Sequence, residues 1–211
     1  MKKPMKYKEE RREVARFMKR LYNHGLTTTS GGNISLRISD DIILITPSAT
    51  DKGRMKWDEV GIMNSKGESQ TPQLKLSIES GMHLAIYKSK NVNALVHAHP
   101  VFATSFTAMK RKINTSLTAE ACAILGEPVF VPYELMGTKD LATVVSEQID
   151  KADILLLENH GILSVGKDLL QAFDKIEVLE NAARMTVIVE MMGKKSPLTP
   201  GRIEEIKRLF K

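Results

Sequence analysis

One cysteine in 211 residues, Cys122, has no intrachain partner for a disulfide. The chain must therefore hold together without covalent cross-links, which suits a reducing cytoplasm. Aromatic residues make up only 5% of the sequence, with a single tryptophan, so the stacking platforms that single-stranded nucleic acid requires are scarce. No apolar run approaches the roughly 20 residues that span a bilayer; the longest candidates, ILLL (154–157) and TVIV (186–189), are cut off by Glu158 and Glu190. The opening MKKPMKYKEERR is charged and runs into a helical pattern instead of an apolar segment, so no secretory leader is expected. Linkers, low-complexity tracts and repeats are also lacking, and one domain over residues 1–211 is the expectation.

What is present describes an ordinary globular protein: 42% hydrophobic and 27% charged residues. The net charge of +6 invites a nucleic-acid reading. However, the lysines and arginines are dispersed, and those at the two ends (KKPMKYKEERR, GRIEEIKRLFK) are mixed with glutamates. With no basic patch or recognition motif, neither nucleic acid nor membrane is expected as a partner. A mildly positive field would still draw in a phosphorylated metabolite.

The apolar spacing of Val14, Phe17, Met18, Leu21 and Tyr22 predicts a helix over 7–22, ended by Gly25. ISLRI (34–38) and IILIT (42–46) flank SDD as a hairpin, and EVGIM (59–63) reads as a strand. A helix is expected from about Lys75 to Lys88, then a buried strand VNALVHAH, a helix through VFATSFTAM and a shorter one near TAEACAIL. VFVPY (129–133) reads as a strand, and TKDLATVVSEQIDKA as a helix capped by Thr138. DILLLENHG and ILSVG form two strands joined by a tight turn, Asp168 caps the longest helix, and Pro200 opens a last short one. Hairpin-linked strands favour a largely antiparallel sheet in a layered α/β/α sandwich over a doubly wound parallel fold.

In NALVHAHP (93–100), His97 and His99 are two apart, so on a strand their rings point the same way. Paired imidazoles at that spacing suit zinc or a similar divalent ion, or else are merely satisfied core groups. Two ligands make a poor site. Of the other three histidines, His24 ends the first helix, His83 lies on the 75–88 segment, and His160 follows LLLEN at a strand end. Sites gather at such ends, which makes His160 the candidate third ligand.

Four motifs in order, SGGNIS, ITPSATDKG, LVHAH after a segment carrying a central acid, and LLLENHGI, resemble the class II sugar-phosphate aldolase family, and within it the fuculose-phosphate aldolases most. The resemblance spans nearly the whole chain. It implies a mostly antiparallel sheet of about nine strands between helical layers, and a homotetramer with active sites at subunit interfaces. It also implies Zn2+, or another divalent transition metal, on His97, His99 and His160. The activity implied is reversible cleavage of a ketose 1-phosphate (L-fuculose 1-phosphate or a 5-deoxypentulose 1-phosphate) into dihydroxyacetone phosphate and a short aldehyde.

By the same resemblance Glu79, in LSIESGMHL, exchanges the proton at C3, although taken alone it reads as a surface carboxylate. His83, one turn on, is assigned a supporting role. Ser30, Gly32 and Asn33 of the glycine-bearing loop, with Ser48, Ala49 and Ser77, would take the phosphate; by composition alone that loop is a helix-to-strand turn. Two family tyrosines that handle the aldehyde have no counterpart: Thr118 stands at the first position, and nothing up to Phe210 and Lys211 supplies the second. A lysine Schiff base is not excluded by the residues, though none is singled out. Rival readings are a methylthioribulose-phosphate dehydratase, for which Glu120 would be the acid/base, a pentulose-phosphate 4-epimerase, and a non-catalytic adducin-like module.

Overall fold

The computed structural model describes residues 6–193 and 195–209; the expected C-terminal departure at Phe210 and Lys211 lies outside them. Helix α1 (Lys8–Asn23) buries Val14, Ala15, Phe17, Met18 and Leu21 along one stripe, as the 3.6-residue period requires. The chain then passes through a loop into β1 (Asn33–Ser39) and β2 (Ile42–Ile45), an antiparallel hairpin in which Ser35 faces Ile45. β3 (Gly61–Met63), α2 (Ser80–Ser89), β4 (Ala94–Ala98), α3 (Val101–Met109) and α4 (Ala119–Leu125) follow. The remainder is β5 (Val129–Val131), α5 (Lys139–Gln148), β6 (Ile154–Leu157), β7 (Gly161–Gly166), α6 (Leu169–Met191) and α7 (Pro200–Leu209).

The strands form one sheet of order β3-β2-β1-β4-β7-β6-β5, in which only the β5–β6 pair is parallel. Alternation along the strands divides the interior in two. Ile34, Leu44, Val96, Ala98, Leu156 and Ile162 join residues of α1, α3, α4 and α6 on one face. Ile43, Ile45, Leu95, Leu155, Leu163 and Val165 join α2 and α5 on the other. The three-layer α/β/α arrangement and its mainly antiparallel pairing follow from this division.

Seven strands are seen among the described residues, not about nine. Two further extended segments touch the sheet only as single bridges, Pro47 with Leu76 and Met63 with Ser69. Pro47 has no N–H to continue a ladder, and Pro72 interrupts the partner segment. The strand expected over 59–63 is shortened for a different reason: Trp57–Glu59 closes a 3-10 turn, leaving only Gly61–Met63 paired. The VFVPY strand stops at Val131, before Pro132. Helix α2 begins at Ser80 instead of about Lys75, which places Glu79 (φ −93°, ψ 12°) at the helix start, outside the helix proper. Thr138 and Asp168 cap α5 and α6 through their side chains. No helix among the described residues is long and apolar enough to cross a membrane.

Candidate metal centre and active site

The sheet register assembles the site. Asn33 of β1 pairs with His97 of β4, and His97 pairs on its other side with Leu163 of β7, so Asn33 and His97 project from the same face. His99 lies one step beyond the end of β4, while His160 ends the turn from β6 to β7 and is held by its N–H donating to the Leu157 carbonyl (3.1 Å). Asn159 takes the left-handed conformation in that turn (φ 50°), which Asn tolerates better than most residues. Gly161 follows because nothing larger fits: a Cβ there would lie 2.4 Å from His99 Cδ2 and 2.7 Å from the Ala98 carbonyl oxygen.

One nitrogen from each of His97, His99 and His160 lies within 4.8 Å of the others, and His97 Nε2 and His99 Nε2 are 3.0 Å apart. Zinc–nitrogen bonds of 2.0–2.1 Å put tetrahedral ligand atoms roughly 3.4 Å apart, so these rings could close on one ion with small rotations. His97 is fully buried and its Nδ1–H donates to the Ile162 carbonyl (2.9 Å), which leaves the Nε2 lone pair facing the cluster. Burial pushes the His97 pKa down to about 4 against the pull of the Glu79 carboxylate. Burial and the neighbouring His97 and His160 rings push His99 to about 3. Both are therefore neutral, the form that binds a metal.

Glu79 is 5% exposed, with Oε2 3.4 Å from His97 Nε2 and Oε1 3.2 Å from His160 Nε2. The latter approach is poorly aligned, so Glu79 Oε1, like His160 Nδ1, is a buried polar atom with no hydrogen-bond partner among the described residues. An ion and a ligand arriving here would satisfy such atoms, and the three-imidazole donor set fits a divalent transition metal. Burial raises the Glu79 pKa, but His97, His160 and Asn33 together outweigh it and hold the carboxyl well below the usual carboxylate range.

Behind Glu79 runs a buried polar chain. Asn33 Nδ2 donates to Glu79 Oε2 (2.6 Å), and Asn33 Oδ1 accepts from His83 Nε2 (2.5 Å). Ser35 Oγ donates to His83 Nδ1 (2.6 Å), with Tyr87 2.8 Å behind it. Burial holds the His83 pKa near 4, so the ring is neutral and carries its proton on Nε2, the tautomer the Asn33 contact needs. His83 thus stands outside the trio and braces the carboxylate through Asn33.

A cavity of about 600 Å³ opens in front of this cluster. It is lined by Glu79, His99 and His160, and also by Ser30, Gly32, Asn33, Ser48, Ala49 and Ser77. Every expected loop residue therefore reaches one space. Gly32 is in the left-handed region (φ 66°), where a Cβ would lie 2.8 Å from the His97 carbonyl oxygen. Ser48 Oγ accepts the Ile78 N–H (3.0 Å) and Ser77 Oγ accepts the Glu79 N–H (3.2 Å), so each hydroxyl keeps its own hydrogen to donate. The Asn33 amide is mostly spent on Glu79 and His83, and one N–H remains.

Glu120 is exposed in the first turn of α4 and does not line this cavity. Thr118 accepts the Ala121 N–H (3.1 Å) as the cap of the same helix. Lys52, Lys75, Met136 and Asn159 do line the cavity and escaped sequence reasoning. For Lys52 the only signal was its place at the end of TPSATDK, and a lysine there reads by default as solvated. A second cavity of about 640 Å³ under α7 holds none of the three histidines.

Residues 12–187 match the model of the Class II Aldolase and Adducin N-terminal domain, and the chain belongs to this family. It is 35% identical to an L-fuculose phosphate aldolase of Methanococcus maripaludis over 84% of this chain and 96% of that one. It is 30% identical to a 5-deoxy-D-ribulose 1-phosphate aldolase of Bacillus thuringiensis over 98% and 97% of the respective chains. Among solved structures, an L-fuculose 1-phosphate aldolase superposes with a TM-score of 0.87 at 27% identity, covering 96% of each chain.

Proposed function

We propose that this protein is a divalent-metal-dependent class II aldolase, with zinc as the resident ion, formed as one domain over residues 1–211. It cleaves a ketose 1-phosphate, L-fuculose 1-phosphate or a 5-deoxypentulose 1-phosphate, reversibly into dihydroxyacetone phosphate and a short aldehyde. The observation that carries this reading is the convergence of His97, His99 and His160 on the buried carboxylate of Glu79, at the head of a cavity ending in serines and glycine-shaped backbone. The names of the relatives at 35% and 30% identity support the substrate class.

His97, His99 and His160 hold the metal. When bound, it supplies Lewis-acid polarisation and stabilises the negative charge that develops at O2 and C3. Cleavage breaks the C3–C4 bond: the C4 hydroxyl loses its proton as the aldehyde carbonyl forms, and C3 of the released half gains one. Glu79 handles the proton at C3. Its depressed pKa keeps it ionised at neutral pH, the form that removes this proton in the condensation direction. Asn33 and His83 fix the carboxylate so that it meets C3 without rearrangement. Ser30, Gly32, Asn33, Ser48, Ala49 and Ser77 receive the phosphate at the other end.

The assembly is a homotetramer with sites at subunit interfaces, acting in the cytoplasm. A panel of ketose 1-phosphates assayed by coupled triose-phosphate detection, with and without chelator, tests the reading. Metal-dependent release of dihydroxyacetone phosphate is expected, and its absence across the panel refutes it. Normal turnover by Glu79→Gln alongside a dead Glu120→Gln would favour the dehydratase instead.

A further inference from the structure

Lys52 opens the short 3-10 turn Lys52–Arg54, capped by Asp51, three residues after the Pro47–Ala49 stretch of the cavity wall. It is 1% exposed, among the most deeply buried large side chains of the protein. Its ammonium donates to the Pro47 carbonyl (2.5 Å) and, weakly, to Thr50 Oγ1 (3.4 Å). Both partners are neutral. No carboxylate pairs with it among the described residues, and burial alone draws its pKa down to about 8. A buried cation without a counter-ion is costly, and proteins keep one where an anion completes it.

The surroundings specify the anion. An ammonium has three donors, and two of those on Lys52 are engaged. Ser48 and Ser77 hold hydroxyl hydrogens in reserve, and Lys75 adds a second, exposed cation to the same cavity. The site thus offers several donors around a positive charge, which suits a group with three terminal oxygens better than a monocarboxylate.

We propose that Lys52 is the buried cation of the phosphate subsite, the substrate phosphoryl group being its counter-ion. This rests on the sugar-phosphate reading above.

Titration calorimetry of inorganic phosphate into the metal-loaded protein tests it. Lys52→Met, similar in length but uncharged, should weaken phosphate binding about ten- to a hundredfold, the size of one charge-assisted hydrogen bond, with metal content unchanged. Lys52→Arg should stay within a few-fold of wild type. An unchanged Kd in Lys52→Met, or an Arg variant as weak as the Met variant, overturns the proposal. Should Lys52→Met not fold, the wild type still decides: phosphate, and not acetate at equal ionic strength, should raise its melting temperature, and no rise overturns the proposal. Phosphate held through Lys52 in a protein that releases no triose phosphate would sink the aldolase reading and leave the subsite standing. Turnover with phosphate binding indifferent to Lys52 would do the reverse.

Discussion

Adding one methyl group at Gly161 should disable the metal centre while leaving most of the fold intact. The new Cβ would sit 2.4 Å from His99 Cδ2, 2.7 Å from the Ala98 carbonyl oxygen and 3.2 Å from His97 Cε1. The Ala98 carbonyl belongs to a strand paired on both sides and cannot retreat. The His99 ring can, by about 1 Å, to regain ordinary van der Waals separation. The backbone of Gly161 is one that any residue adopts, so the effect is purely steric. Overpacking of this kind costs about 1–3 kcal/mol, which for a chain of this size lowers the melting temperature by roughly 3–10 °C. The sharper effect is on the ion: displacing a ligand ring by an ångström should weaken metal binding about 10–100-fold and turnover on the order of a hundredfold. Metal titration with a competing chelator, beside a melting curve of the metal-free protein, separates the two. Wild-type metal affinity in Gly161→Ala would refute the placement of His99 over this glycine.

Four further outcomes are expected. His97→Ala should lose metal and turnover together, as read by bound-zinc content and triose-phosphate release. Glu79→Gln should keep the metal yet slow turnover roughly 10²–10⁴-fold, the usual share of acid–base catalysis. His83→Phe should leave metal content intact but lower kcat more than it raises KM, because Asn33 loses the donor that orients it towards Glu79. Acid should destabilise the metal-free protein early. His83 and His97 near 4 and His99 near 3 sit below an unfolded value of about 6.5. In that window the unfolded chain binds more protons, so stability falls as pH drops from about 6.5 towards 4, by up to about 1.4 kcal/mol per pH unit for each histidine. Denaturant midpoints across that range measure it, and a flat profile contradicts burial of these rings.

Period and spacing made much of this legible. The alternation in NALVHAH placed His97 and His99 on one face, and the turn in LLLENHG placed His160 at a strand end; the three meet in space. What the residues alone could not supply was long-range register. Asn33 looked like a loop amide free for a ligand, whereas the β1–β4 pairing sets it beside His97 and commits it to Glu79 and His83. The start of α2 is not legible either: Ile78 falls in helical register with Met82, Ala85 and Ile86, yet Leu76 is tied to Pro47 beyond the end of β2 and the helix begins only at Ser80. Lys52 stays hidden for another reason: nothing in local sequence distinguishes a lysine folded inward from one in solvent.

The polar chain from Ser35 through His83 reaches Glu79 by way of Asn33, and both Ser35 and Asn33 stand on β1. Much of what holds the reactive carboxylate thus belongs to the sheet, with His160 as the contribution of a turn. Cavity segments other than that turn can be redrawn, by natural drift or by a designer seeking a different carbonyl acceptor, with little retuning of the acid that serves every such acceptor alike.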